Sequence, residues 1–236
     1  DITRTVPVGQ VGEEEKAAFT RVLQGMIAIS RLRFPKGLAG RDLDAIARYP
    51  LWLAGLDFNH GTGHGVGVYL CVHEGPQRLS RVSHTPLEPG MILSNEPGYY
   101  REGAFGIRIE NLIVVQEASA LEGADAREMH DFKTLTYVPI DRRLIRSEML
   151  SQGERDWLNA YHAACREKTG ARLSEPARTW LIPSTSSTPR RFASGWRFFW
   201  RSLWSWPRQL AGRTFTTRSL RSQRTPSSRS ASRRRL

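Results

Sequence analysis

The stretch that decides the fold reads HGTGHGVGVYLCVHEGP (60–76), then SNEPGYY (94–100), then FGIRIEN (105–111). Each of these three motifs borders a short apolar run, and prolines and glycines separate one run from the next. Short apolar runs divided by turn residues are typical of consecutive strands. The stretch therefore predicts several short strands whose ends carry polar side chains.

Six titratable side chains lie at the rims of these runs: His60, His64, His73, Glu96, Arg108 and Glu110. Residues two apart on a strand share a face, so Arg108 and Glu110 would point the same way. Burying such charges without partners is costly, and a metal ion or a substrate carboxylate would remove that cost. The glycines between His60 and His64 argue against the helical HExxH arrangement of zinc peptidases.

Each signal taken alone also has a structural explanation: a histidine in a glycine-rich turn, an exposed turn glutamate, or an ion pair between Arg108 and Glu110. Together they favour a metal site. One imidazole among carboxylates suits Mn²⁺, Co²⁺, Fe²⁺ or Zn²⁺ better than the sulfur-rich ligand sets of structural zinc. Histidines near the metals that are not ligands could move protons.

The order of elements along the chain predicts an α+β fold, because helices come first, strands follow and a helix closes the series. Helical spacing is visible over 13–34, in a shorter segment around 43–47, and from a capping box at Ser151 to about Lys168. Strands are expected at 1–6, 66–72, 91–93, 107–115 and 135–140.

The net charge of +12 is unevenly distributed. Residues 187–236 contain 13 arginines and no Asp, Glu or Lys, so the rest carries −1, the difference between +12 and +13. The two cysteines lack CxxC spacing, which favours a reducing compartment such as the cytoplasm over a disulfide framework. No apolar run approaches the length of a membrane span.

Several separated motifs resemble the catalytic domain of Xaa-Pro aminopeptidase (aminopeptidase P), in the pita-bread metallopeptidase family. They are the three motifs above together with DITRT (1–5), LTYVPIDRRLI (135–145) and WLNAYH (157–162). The resemblance covers about residues 1–183 and implies a pita-bread (creatinase/aminopeptidase-like) fold.

The resemblance implies two divalent metal ions, most often Mn²⁺, with Co²⁺, Zn²⁺ and Fe²⁺ as alternatives. It assigns the metal ligands to Asp1, His64, Glu96 and Glu110. It assigns substrate binding and proton transfer to His60 and His73, lining of the site to Arg108, and proton exchange with water to Glu96. The implied reaction releases the N-terminal residue from peptides with proline at position two, using a metal-bridging hydroxide.

The family also uses a metal-binding aspartate on the strand before DITRT, and this chain starts after that position. We therefore expect residues 1–183 to be a partial catalytic domain, incomplete at its N-terminal side, that binds two metals poorly and hydrolyses little. The alternative is a catalytically inactive pita-bread module that binds peptides or a protein partner. A homodimer is among the states that the resemblance implies.

Residues 184–236 form a tail rich in Arg, Ser and Trp with no resemblance to the family. One segment places its large apolar side chains on one helical face, as an interfacial membrane helix would: Phe192, Trp196, Phe199, Trp200, Leu203 and Leu210. The Arg/Ser end could instead bind nucleic-acid phosphates. We favour a disordered or non-native tail over either binding role.

Overall fold

A computed structural model describes residues 1–69 and 71–185. Its helices and strands are α1 (Glu13–Ser30), β1 (Arg33–Pro35), α2 (Gly40–Trp52), β2 (Gly63–His64), β3 (Arg78–Leu79), β4 (Ile92–Asn95), β5 (Gly98–Arg101), β6 (Phe105–Arg108), β7 (Asn111–Glu117), β8 (Met129–Thr134), α3 (Gln152–Thr169) and α4 (Glu175–Ser184). Helices followed by strands and again by helices confirm the predicted α+β class. The predicted apolar stripe of the tail, from Phe192 to Leu210, lies outside the described residues.

The main sheet is antiparallel, with the strands in the order β1-β8-β7-β4. Strands β4 and β7 pair so that Asn95 lies opposite Asn111. Glu96 follows the end of β4, and Glu110 precedes the start of β7. Because the two strands run in opposite directions, their paired ends bring these two glutamates to the same edge of the sheet.

Helices α1 and α2 pack closely at Gly25. A side chain there would be impossible, because a Cβ on Gly25 would lie 2.1 Å from the carbonyl oxygen of Ala47 on α2. Phe34, Leu43 and Leu93 join this helix pair to the sheet in one buried cluster. This packing fixes α2 beside the glycine-rich loop that contains His60 and His64.

The structure divides the run predicted as one strand over 107–115. Strand β6 pairs with β5, whereas β7 pairs with β4 and β8, so the chain changes partners at Ile109 and Glu110. Apolar residues at 107, 109, 113 and 115 keep the same alternation on both sides of this change, with only Asn111 between them, so the sequence shows no boundary. The prediction that Arg108 and Glu110 share a face of one strand is wrong, because Arg108 ends β6 and Glu110 lies between β6 and β7.

Four other predicted elements differ from the structure. Residues 1–6, predicted as a strand, have no strand structure, and they are held mainly by side-chain hydrogen bonds of Thr3 and Arg4. The first helix ends at Ser30 rather than near residue 34, because Phe34 enters β1 and pairs with β8. The predicted strand at 66–72 is absent among the described residues of that segment, which form bends and irregular structure. Residues 135–140 follow β8 without strand structure. Their carbonyl groups accept hydrogen bonds from side chains instead, and Pro139 has no N–H to donate.

Helix α3 agrees with its prediction. Ser151 and Glu154 form the expected capping box, and the helix ends at Thr169, one residue beyond the predicted end. Leu158, Tyr161 and Cys165 are buried on the side that packs against the core around α1. The part of the chain downstream of the sheet is thereby joined to the body that contains the predicted site.

We predict that His162 makes the fold sensitive to acid. Burial lowers the pKa of this fully buried imidazole to about 4, and its Nε2 accepts a hydrogen bond from the backbone N–H of Ile140. An unfolded histidine has an ordinary pKa near 6.5, so the unfolded chain takes up the proton first as the pH falls. The free energy of unfolding should therefore decrease by about 3 kcal/mol between roughly pH 6.5 and pH 4.

Denaturant unfolding at several pH values would test this prediction. His162→Gln should lose most of the decrease in this pH window, whereas the exposed His84→Gln should retain it. An equally steep decrease in His162→Gln and in the unaltered chain would contradict the prediction.

Candidate metal centre

Four of the predicted metal-binding side chains meet at one place. His64 lies on β2, Glu96 follows β4, Glu110 precedes β7, and Asp1 begins the chain. The ligand atoms of His64, Glu96 and Glu110 all lie within 4.8 Å of one another. The ligand atoms of Asp1, His64 and His73 also lie within 4.8 Å of one another, so His64 belongs to both groups. Because carboxylates can bridge two cations, these adjoining groups form an arrangement able to hold two ions, of which His64 would bind one.

The imidazole of His64 is oriented as a metal ligand. Its Nδ1–H donates to the carbonyl oxygen of Gly65 at 2.9 Å, and because a carbonyl can only accept, Nε2 carries the free lone pair. That Nε2 lies 3.3 Å from Asp1 Oδ2 and 3.2 Å from Glu96 Oε1. It is buried and has no hydrogen-bond partner among the described residues.

Glu110 is almost fully buried, with 1% of its surface exposed. Its Oε2 accepts a hydrogen bond from Thr3 Oγ1 at 2.5 Å, and its backbone N–H donates to the carbonyl oxygen of Thr3. Its other carboxylate oxygen, Oε1, is buried without a partner in the described part of the chain. One carboxylate oxygen of Glu110 is thus held by the protein, and the other is available to bind a cation.

Glu96 is held from two sides. Its backbone N–H donates to the carbonyl oxygen of Thr62 at 2.7 Å, and its Oε1 accepts from Ser94 Oγ at 2.9 Å. Ser94 Oγ in turn accepts from the backbone N–H of His64, so one hydroxyl ties together two of the candidate ligands. The guanidinium of Arg108 lies 3.5 Å from Glu96 Oε2.

These residues fit divalent metal ions. Carboxylate oxygens and an imidazole lone pair converge, and repulsion between them would be relieved by a cation. The two buried atoms without partners, His64 Nε2 and Glu110 Oε1, are the kinds of atom that a metal would bind. A ligand set of oxygens with nitrogen and no sulfur suits Mn²⁺, Fe²⁺, Co²⁺ or Zn²⁺.

His60 belongs to a chain of hydrogen bonds at the rim of this centre. Arg108 Nε donates to the hydroxyl oxygen of Tyr100 at 2.8 Å. Tyr100 donates onward to His60 Nε2 at 2.9 Å, because His60 Nδ1–H is used by the carbonyl oxygen of Gly61. Burial, aided by the positive charges of Arg108 and Arg48, lowers the pKa of His60, so this imidazole is neutral near pH 7.

His73 lies on the open side of the centre. Its ring meets that of His64 edge to face, with 4.2 Å between the ring centroids, and it is exposed to solvent. Asp1 is exposed as well. The structure therefore brings all seven predicted site residues together, with the two glutamates deep in the protein and the two exposed residues at the entrance.

A buried ion pair on α2 supports the loop between His60 and His64. Asp44 and Arg48 have side chains that are 1% and 3% exposed, and they lie 2.6 Å apart. Arg48 donates to the carbonyl oxygens of Phe58 and His60, while Asp44 accepts from the backbone and the hydroxyl of Thr62. The pair therefore fixes the loop on both sides of His60, at Phe58 and at Thr62.

Glycine at position 63 allows this loop to lie against β4. A Cβ on Gly63 would lie 1.8 Å from the carbonyl oxygen of Ser94, a distance that no side chain can occupy. The neighbouring His64 is consequently held within bonding distance of the groups that follow β4. The glycines of the motif are thus a packing requirement.

Sequence reasoning missed several residues that hold the site. Tyr100 stands inside the SNEPGYY motif, but nothing in its spacing indicates a bond to His60, which is distant in sequence. Asp44 and Arg48 had a usable signal, since opposite charges four apart on the apolar side of a helix indicate a buried pair. The hydrogen bonds of Thr3 and Ser94 depend on tertiary contacts that the sequence does not show.

Comparison with known proteins agrees with this geometry. Residues 1–117 match the model of metallopeptidase family M24, and residues 128–188 match that of the C-terminal region of the same family. A probable Xaa-Pro aminopeptidase P of Tuber melanosporum is 49% identical over 191 residues, which are 79% of this chain and 31% of the fungal protein. Aminopeptidase P1 of Arabidopsis thaliana is 43% identical over 188 residues, 78% of this chain and 29% of the plant protein.

A solved structure shows the same fold. The X-prolyl aminopeptidase of Caenorhabditis elegans, described as a cytosolic enzyme with a di-nuclear active site, is 39% identical and superimposes with a TM-score of 0.72. The match covers 79% of this chain and 31% of the nematode protein. The chain thus spans about a third of the length of the relatives that it matches.

We predict that Asp44→Ala strongly destabilises the protein. The substitution removes the buried one of the two carboxylates that pair with Arg48 and leaves only Asp57, whose side chain is 37% exposed. Breaking a buried ion pair typically costs about 3–5 kcal/mol, and because Asp57 stays in place we expect a loss of about 3 kcal/mol in the free energy of unfolding. The control, Asp156→Ala, removes an exposed carboxylate from α3. It should change the free energy of unfolding by no more than about 0.5 kcal/mol. Urea unfolding of both variants would measure the difference, and equal losses would contradict the importance of the pair.

Proposed function

The chain belongs to metallopeptidase family M24 and has part of its pita-bread fold, and from this premise we propose that it releases the N-terminal residue from peptides with proline at position two. The observation that carries the proposal is the convergence of His64 Nε2 with the carboxylates of Glu96 and Glu110. The names of the relatives, Xaa-Pro aminopeptidase P and X-prolyl aminopeptidase, support the choice of substrate.

We propose that His64, Glu96, Glu110 and Asp1 hold two divalent metal ions, with Mn²⁺ as the first candidate and Co²⁺, Zn²⁺ or Fe²⁺ as alternatives. When bound, such ions lower the pKa of water and stabilise the oxyanion that develops on the scissile carbonyl. The di-nuclear site of the nematode relative supports the number of ions.

The side chains of this chain divide the remaining work. Glu96 takes a proton from the attacking water and delivers it to the proline nitrogen, as the water oxygen bonds to the carbonyl carbon and the peptide C–N bond breaks. Arg108 Nη1 lies 3.5 Å from Glu96 Oε2, where it helps to orient this carboxylate. The neutral His60, bonded to Tyr100, and the exposed His73 contact the substrate at the entrance.

We further propose that residues 1–236 alone bind the metals weakly and hydrolyse little. They provide four of the five ligands that the family resemblance implies, with Asp1 at the exposed end of the site. The close approach of the ligand atoms of His64, Glu96 and Glu110 supports a peptidase site over the alternative of an inactive peptide-binding module. We place the activity in the cytoplasm, since the nematode relative is a cytosolic enzyme. Within the described residues, no helix is long and apolar enough to cross a membrane.

The test is release of the first residue from an Xaa-Pro-Pro peptide in the presence of added Mn²⁺. The chain should be compared with a longer one extended upstream through a further aspartate, which we expect to be the more active. In the longer chain, Glu96→Gln should reduce kcat by at least about 100-fold, because general acid–base groups contribute this much or more. Glu102→Gln, which changes an exposed glutamate, should leave kcat unaltered.

Other outcomes would overturn parts of the proposal. Equal activity of both chains would show that the fifth ligand is dispensable. Absence of activity from both, with retained binding of the peptide, would replace the peptidase with the inactive module. Full activity in Glu96→Gln would remove Glu96 from its proposed role.

A further inference from the structure

We propose that helix α3 holds the metal-binding carboxylate of Glu110 in position through two linked side chains, Tyr161 and Arg4. The proposal rests on the proposed function, in which Glu110 binds a metal ion. It gives the region downstream of the sheet a part in the metal site, although α3 contributes no metal-binding side chain. Tyr161 and Arg4 are positioning residues in this account.

Arg4 is the centre of the arrangement. Its Nη1 donates to the carbonyl oxygen of Glu110, and its Nη2 donates to Asn111 Oδ1 at 2.6 Å. Arg4 therefore holds both the peptide group between Glu110 and Asn111 and the side chain of Asn111. The planar guanidinium fixes direction as well as distance, which a lysine would not do.

The charge of Arg4 is surrounded by neutral oxygens. Its other donors reach the carbonyl oxygens of Thr3, Val138 and Pro139, and every acceptor found for it among the described residues is uncharged. Burial lowers its pKa as a result. A half-buried guanidinium whose hydrogen bonds all go to neutral oxygens depends on the correct placement of each acceptor.

Tyr161 supplies the acceptor that comes from α3. Its hydroxyl oxygen accepts from Arg4 Nη2 at 2.8 Å and lies 2.8 Å from the carbonyl oxygen of Val138, to which its proton is donated. The ring is 5% exposed and stacks on Trp157 with 5.2 Å between the ring centroids. Packing of this kind leaves the hydroxyl little freedom, so Arg4 is held from the side opposite the metal site.

The consequence is that Glu110 is fixed at three points, two on its backbone and one on its carboxylate. The backbone oxygen of Glu110 is held by Arg4, its backbone N–H by Thr3, and its Oε2 by the hydroxyl of Thr3. Only Oε1 is left without a partner in the described part of the chain, and Glu110 belongs to the group of possible metal ligands with His64 and Glu96. Groups that orient a metal ligand from behind commonly change metal affinity 10–100-fold when they are altered.

Two tyrosine variants provide a matched test. Tyr161→Phe removes the hydroxyl that meets Arg4, whereas Tyr137→Phe removes one that donates to the carbonyl oxygen of Thr134. The two rings stack on each other, so both variants disturb the same part of the core. Binding of Mn²⁺ should be followed through the EPR signal of the free ion, and backbone hydrogen exchange over 108–112 should be measured without metal.

We expect Tyr161→Phe to raise the Kd for Mn²⁺ about tenfold and to speed exchange of the Glu110 amide, with neither change in Tyr137→Phe. Arg4→Lys, which keeps the charge but loses the planar donors, should show the same two effects. An unaltered Kd and unaltered exchange in Tyr161→Phe would overturn the inference, as would equal changes in the two tyrosine variants.

Failure of the proposed function gives a different result. If the unaltered chain and Glu110→Ala bind Mn²⁺ equally, Glu110 is not a metal ligand and the proposed site is wrong. The exchange measurement needs no metal, and it would still decide whether Tyr161 holds Glu110.

Discussion

The pairing of β4 with β7 is the constraint on which the site depends. Asn95 lies opposite Asn111, and that register alone brings Glu96 and Glu110, which are distant in sequence, to one edge of the sheet. A shift of a single residue would turn every side chain of a strand to its other face. The buried apolar residues Leu93 and Ile113 make that shift costly, so the core of the sheet also fixes the position of the carboxylates.

Clustered carboxylates are unfavourable in a protein without a cation, and the structure surrounds them with groups that fix their orientation. Asp44 and Arg48 hold the histidine loop on one side, and Thr3 with Arg4 holds Glu110 on the other. These supports come from separate parts of the chain, α2 and the first residues. The ligands therefore keep their geometry through the fold as a whole, and little of it depends on local loop structure.

Much of this could be predicted from the sequence, because alternation, capping and turn residues are local signals. The α+β class and helix α3 were predicted correctly. The candidate site residues were selected by motif and lie together in the fold, while their roles stay predictions. The strand boundary at Ile109 and Glu110 was not predicted, since the apolar alternation has the same phase before and after the change of pairing partner. The irregular course of 135–140 was missed because Arg4 and Tyr161, far away in sequence, satisfy its backbone. The boundary at residue 183 and the nature of the tail stay predictions, as does a homodimer.

The most direct measurement is anomalous diffraction at the manganese absorption edge from crystals of this chain grown with Mn²⁺. The account predicts anomalous density within coordination distance of His64 Nε2 and Glu110 Oε1, the two buried atoms that have no hydrogen-bond partner among the described residues. Density at other sites only, with both atoms bonded to protein or to water, would contradict the assignment of this cluster as the metal centre.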